Sequence, residues 1–160
     1  MAEIRAARPE DAGVVVGLLR ALAEALGEAA PFGTTEQAIR RWGFGPDRRL
    51  WSMLAFAGPE ARGVATYFPT FSTTRGAAGV YVQDLYVAPE ARGRGLGQQL
   101  LAAVIRDAEA RWDVAYLMLL VYDDNAAARG FYRRCGMALP DTERPAFLDG
   151  AAFAALGDGR

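Results

Sequence analysis

The chain has 160 residues, 52% of them apolar and 23% charged, with a formal net charge of −1. That profile fits a single globular domain over residues 1–160 with a substantial core, and it excludes a disordered, collagenous or coiled-coil chain. A balanced charge gives no electrostatic case for nucleic acid as a partner, and the absence of His excludes Ser–His–Asp and Cys–His catalysis and any His-ligated metal.

Ile4–Ala6 reads as a short first strand. Pro9-Glu10-Asp11 opens a helix, with acids in its first turn and a proline near its start. Val14, Leu18, Leu22 and Leu26 recur every four residues and predict its buried stripe, and Gly27 is its stop. Thr34 with Gln37 three residues on predicts a capping box and a short helix to about Trp42, broken by Gly43-Phe44-Gly45-Pro46. Three strands follow, over residues 50–57, 63–71 and 80–88, separated by the turn Gly58-Pro59-Glu60 and a loop over 73–79. After a glycine- and arginine-rich loop, Leu96, Leu100, Leu101, Val104 and Ala108 mark one face of a helix over 96–111. The apolar run from Ala115 to Tyr122 predicts a central strand buried on both faces. Asp123-Asp124-Asn125 caps a short helix to about Cys135, ended by Gly136. A last strand near Ala146–Leu148 and a helix from Gly150 complete the chain. Three antiparallel strands feeding a crossover helix imply an α/β, mixed-sheet fold with helices on both faces.

The residues that are scarce are informative. All 18 basic residues are Arg, there is no Lys, and Asn125 is the sole Asn. Cys135 is the sole cysteine, which excludes an intrachain disulfide or thiolate cluster and predicts a small buried thiol. No segment has the form of a secretory signal or a membrane span, so a cytoplasmic protein without a membrane partner is expected.

The segment most suggestive of chemistry is the loop Arg92-Gly93-Arg94-Gly95-Leu96-Gly97-Gln98 between a strand and a helix. Glycines at 93, 95 and 97 allow close backbone approach and positive φ, and the first turn of the following helix offers unpaired N–H groups at the positive end of its dipole. With two arginines, these are the parts of a phosphate cradle. A P-loop needs a Lys that the chain lacks. The spacing G-x-G-x-G departs from the dinucleotide-binding G-x-G-x-x-G, and Asp113, about 20 residues on, precedes the next strand instead of ending it.

The loop instead fits the Q/R-x-x-G-x-G/A pattern of the GNAT N-acetyltransferases, which the chain resembles over most of its length. Asp84-Leu85-Tyr86-Val87-Ala88-Pro89-Glu90-Ala91-Arg92 is similar to the strand that precedes the loop in that family. Asn125, Phe131-Tyr132 and Gly136 are similar to its downstream Asn and F-Y-x-x-x-G. Within the family the likeness is to the diamine (spermidine/spermine) and thialysine acetyltransferase group: Trp42-Gly43-Phe44-Gly45 resembles its D-G-F-G, and residues 80–87 resemble its L-Y-L-E-D-F-F-V. Two positions depart from the group. Its Glu before the strand Asp is Gln83, and its substrate-binding Glu at the end of the first helix aligns with Leu26, so neither carboxylate for a polyamine is present.

The resemblance implies a central, mostly antiparallel sheet with a splayed parallel pair, and acetyl transfer from acetyl-CoA to a primary amine of a small diamine- or amino-acid-like molecule, without a metal. It implies that Leu85, Tyr86 and Val87 pair with the pantetheine arm, that residues 92–98 hold the pyrophosphate, and that Asn125, Ala128 and Tyr132 also contact the cofactor. Tyr132 would protonate the leaving thiolate. Asp84, acting through water, is the candidate base, and Gln83, Asp84 and Leu120 are candidate substrate contacts, with Tyr67, Phe68 and Met118 as further lining. A homodimer through Phe147, Leu148, Phe153 and Leu156 is also implied, though these residues would serve equally to close the monomer core. Two alternatives stand beside the enzyme: a non-catalytic acyl-CoA sensor, which an intact Tyr132 disfavours, and a protein or peptide amine acetyltransferase.

Overall fold

The computed structural model describes residues 3–140, 146, 148 and 150–157, with only the backbone of Ala154. Packing groups the chain into two compact units, Met1–Leu120 and Val121–Arg160.

The first unit holds a five-stranded sheet in the order β1-β2-β3-β4-β5: β1 Glu3–Ala6, β2 Trp51–Ala57, β3 Glu60–Ser72, β4 Ala77–Val87 and β5 Tyr116–Met118. The first four strands are antiparallel to their neighbours, and β5 joins β4 in parallel after a crossover through helix α3, Leu96–Trp112. Helices α1 (Ala12–Ala25) and α2 (Glu36–Phe44) cover one face, where Val15, Leu19 and Ile39 pack on Leu54, Val64 and Tyr86. Those three strand residues are register partners, so their side chains share that face. The opposite face receives α3. Its buried residues include all five positions expected from the sequence, Leu96, Leu100, Leu101, Val104 and Ala108. Among the described residues, no helix is long and apolar enough to cross a membrane.

Several sequence expectations are corrected. The buried residues of α1 are Ala12, Val15, Val16, Leu19 and Ala23, while Val14 and Leu26 are exposed. A strict four-residue repeat advances 400° per step, so it drifts around a helix of 100° per residue and leaves the core face within three turns. The cap of α2 is Thr35, whose hydroxyl accepts from the Ala38 N–H at 3.1 Å, one residue later than expected. The run 115–122 is not a central strand buried on both faces. Only Tyr116–Met118 pair, at the end of the described sheet, and Leu120 is 61% exposed. An apolar run signals burial potential but not how far a neighbouring strand stays alongside. Cys135 is only half-buried, at the C-cap of its helix. Of the strand expected at 146–148, Phe147 lies outside the described residues, and Ala146 and Leu148 are in no strand.

Two glycines set how closely neighbouring elements approach, Gly79 between two strands and Gly63 between the sheet and α3. A Cβ on Gly79 would lie 2.3 Å from the ring of Tyr116, its partner on β5, so that ring lies across bare backbone. A Cβ on Gly63 would lie 2.9 Å from Leu100 Cδ1 and 3.1 Å from the Tyr86 carbonyl oxygen. Gly63→Ala is therefore expected to push α3 off the sheet and cost about 1–3 kcal/mol by overpacking, measured as a lower urea midpoint.

Candidate active site

The site begins with an irregularity in β4. Thr66 on β3 pairs with Asp84, but Tyr67 pairs with Val82, so Gln83 is an extra residue, a β-bulge. On the other side, β4 pairs with β5 only from Gly79↔Tyr116 to Tyr81↔Met118. Beyond that point the two parallel strands are no longer partners, and the stretch of β4 from Gln83 to Val87 has a free edge within this unit.

Backbone alternation says which groups line that edge. The Ala88 N–H donates to the Arg62 carbonyl at 2.8 Å, which places Tyr86 and Asp84 at the hydrogen-bonded positions facing β3. The N–H and C=O groups of Leu85 and Val87 therefore point to the free edge. The Val87 carbonyl already accepts from Arg92 Nε at 2.9 Å, so the first arginine of the loop is tied to the strand it follows.

The loop then turns through two left-handed glycines, Gly93 at φ 76° and Gly95 at φ 73°. Gly95 is the N-cap of α3 and has no side chain to cap with. The first bond of the helix runs from the Gln99 N–H to the Gly95 carbonyl at 3.0 Å, and the N–H groups of residues 93–98 find no acceptor among the described residues. Arg94 and Gln98 are exposed, while Leu96 anchors the turn in the core. Six free N–H donors at a helix N-terminus beside two arginines are chemically suited to a phosphate or diphosphate.

Asp84 lies on the face covered by α1 and α2, half-buried. One of its oxygens, Oδ2, accepts from the buried Thr66 hydroxyl. Burial raises the carboxyl above the ordinary Asp range, and the Thr66 hydrogen bond opposes that rise in part. Phe68 and Tyr81, partners across β3 and β4, stack on the same face with ring centroids 4.9 Å apart. Burial, and then the nearby Asp84, raise the Tyr81 phenol. Gln83 is exposed at the bulge, and Leu120 lies two residues beyond the end of β5.

Tyr67, expected to line a substrate pocket, belongs to the opposite face. It is 1% exposed, its hydroxyl donates to Asp107 Oδ2 on α3 at 2.6 Å, and its ring meets Trp112. Burial, then the Asp107 hydrogen bond, hold its proton on throughout the working pH range. An aromatic in a strand gives no sign of which face it takes until the register is known.

In the second unit, Asn125 caps α4 (Ala126–Arg134): its Oδ1 accepts from the Ala128 N–H at 3.0 Å. Tyr132 is buried against Phe131, with ring centroids 5.2 Å apart. Burial, then the nearby Cys135, push its phenol up to about 12, so it is protonated at neutral pH. The gap to an ordinary thiol near 8.5 is then wider than for a free tyrosine near 10.

The sequence reading missed Thr66 and Tyr81. Neither stands out by residue type, and only the register across the bulge brings them beside Asp84.

A mixed sheet with one splayed parallel pair, followed by a loop of free N–H donors, is the architecture of an acyl-CoA N-acyltransferase. Residues 15–137 match the model of the acetyltransferase (GNAT) family. The chain is similar to thialysine N-epsilon-acetyltransferase of Bos taurus, 32% identical over 143 residues, covering 83% of this chain and 82% of that protein. The Mus musculus thialysine N-epsilon-acetyltransferase is 30% identical over 141 residues, with the same coverage of both chains. Among solved structures, an integron cassette protein from the mobile metagenome of V. cholerae shares the fold, with a TM-score of 0.79 at 22% identity, covering 98% of this chain and 97% of that one. The chain belongs to the GNAT acetyltransferase family, and with it to the acetyl-CoA-dependent N-acetyltransferases.

The two left-handed glycines are testable apart from function. Gly95→Ala adds a Cβ that meets only Gln99 Nε2, at 3.6 Å, so its cost is conformational. A loss of about 1–2 kcal/mol in unfolding free energy is expected, with the far-UV spectrum unchanged.

Proposed function

We propose that this enzyme acetylates a primary amine of a small molecule by direct attack in a ternary complex with acetyl-CoA. The reading is carried by the free edge of β4: the Leu85 and Val87 backbone groups run toward a loop with six unpaired N–H groups. A pantetheine arm would add to that edge as a further strand, with Tyr86 backing it from the core, and residues 92–98 would hold the pyrophosphate. Asn125, Ala128 and Tyr132 are assigned to the cofactor on the family pattern. The match over residues 15–137 spans both units, which supports reading them as one catalytic domain.

The chemistry follows. Water relays one proton from the ammonium to Asp84, whose raised affinity for protons suits a base. The amine nitrogen then forms a bond to the thioester carbonyl carbon, and the carbon–sulfur bond breaks. Tyr132 donates its proton to the departing thiolate and is reprotonated by the second proton of the amine. The thioester is already activated, so positioning supplies much of the rate. Gln83 and Leu120 are substrate contacts in this reading. The replacement of two group carboxylates by Gln83 and Leu26 favours an amine with fewer cationic centres than a polyamine.

Calorimetric titration with acetyl-CoA and thiol release over a panel of amines test this together. Micromolar binding and amine-dependent release are expected, with Tyr132→Phe lowering kcat by about 10²–10⁴ and leaving cofactor affinity nearly unchanged. Binding without turnover on any amine would point to the sensor alternative, and absence of binding would refute the cradle.

The same reading includes a homodimer through the C-terminal segment. Leu148 and, on α5 (Gly150–Gly157), Phe153 and Leu156 are all exposed apolar residues. Light scattering is expected to give twice the chain mass, and Phe153→Glu to reduce it to one.

A further inference from the structure

We propose that Thr66 is a positioning residue for the reaction, holding the Asp84 carboxylate so that one oxygen is fixed by the protein and the other is left to take the proton. The inference rests on the reading of Asp84 as the base.

Thr66 is fully buried in the middle of β3, between Ser52 on β2 and Asp84 on β4. Thr66 pairs with both of the others, so the three form a polar row on the face covered by α1 and α2, beside the buried Leu54, Val64 and Tyr86. A buried hydroxyl in such a place is costly unless its proton is given away, and Thr66 gives its proton to Asp84 Oδ2. The Asp84 Oδ1 atom has no protein partner among the described residues and is not sealed from solvent. The carboxylate is thus half satisfied: Oδ2 cannot rotate away without stranding the Thr66 hydroxyl, and Oδ1 keeps its lone pairs free of any protein donor among the described residues.

The bulge makes this arrangement possible. The Thr66↔Asp84 pair is the last before the register slips at Gln83. The Thr66 bond therefore fixes the side chain where the local ladder is weakest. Few other groups act on Asp84. From β4, the Tyr81 phenol is near enough to be raised by it. Among the described residues, those of β2, β3, α1 and α2 on that face included, no charged group contributes to its own shift, whose causes are burial and the Thr66 hydrogen bond.

The sign of the effect follows. The hydroxyl stabilises the ionised carboxylate, so it opposes the rise that burial imposes. Removing it raises the carboxyl further, and a base that must be ionised then works only at higher pH.

The experiment compares wild type, Thr66→Val, Thr66→Ala, Thr66→Ser and Asp84→Asn. The readouts are the pH dependence of kcat/KM on the best amine and the ¹³C carboxyl titration of Asp84 in the free enzyme. In Thr66→Val the acid limb and the Asp84 titration are both expected to move up by about one pH unit. The rate would fall about tenfold below the limb and recover above it. Thr66→Ser should restore both, which a purely structural role for the threonine would not require. Thr66→Ala keeps the test open if Val disturbs folding, since it removes the hydroxyl without adding bulk. An unmoved limb and titration in both hydroxyl-free variants, with Asp84→Asn inactive, would overturn the role of Thr66 and leave the base intact. Wild-type rates in Asp84→Asn would overturn the base and the positioning role together.

Discussion

A backbone amide or carbonyl that leaves a ladder must find another partner or face water. In this fold β4 leaves β5 after only three paired residues, and the groups of Leu85 and Val87 are released to a free edge. Much of the site depends on that divergence. Gly79 lets β4 and β5 begin side by side by accepting the Tyr116 ring across its bare backbone. The bulge at Gln83 then alters the twist of β4 at the point where β5 departs. The Arg92 side chain, bonded to the Val87 carbonyl, joins the end of the freed edge to the loop that follows.

The loop and the edge are different uses of the same resource, unpaired N–H groups. Along β4 they are spaced as in a strand and suit an extended chain with alternating donors and acceptors. At the start of α3 they converge at the positive end of the helix and suit negative charge. An extended arm that ends in a diphosphate matches both in order, so the family's thioester cofactor is chemically consistent with the geometry of the first unit.

Acid and base assignments in the proposed mechanism depend on burial. Asp84 is pushed toward holding its proton, which makes it a better acceptor than an exposed carboxylate, and the Thr66 hydroxyl limits the shift. Tyr132 is pushed up to about 12, so it stays protonated across the working range. In the proposed step a thiolate, with its thiol near 8.5, is the weaker base, so donation from Tyr132 has to be coupled to its reprotonation by the amine. In the second unit, Asn125 satisfies the Ala128 N–H as the cap of α4.

The sequence alone determined the order of elements from β1 to α4, the buried face of α3, the loop 92–98 and the family pattern. Each of these is written in local spacing: a helical repeat, a glycine at a position that needs positive φ, or a motif of adjacent residues. It misplaced the stripe of α1 because a four-residue repeat drifts. It made 115–122 a central strand because an apolar run does not report how long its neighbour stays paired. It set Tyr67 in the pocket because alternation gives two faces without saying which is the core. Tertiary structure decided those three, and it alone brought Thr66, Asp84 and the Phe68–Tyr81 stack to one face. Thr66 and Asp84 lie 18 residues apart in the chain, and their contact depends on strand register and a single bulged residue, which local sequence does not encode.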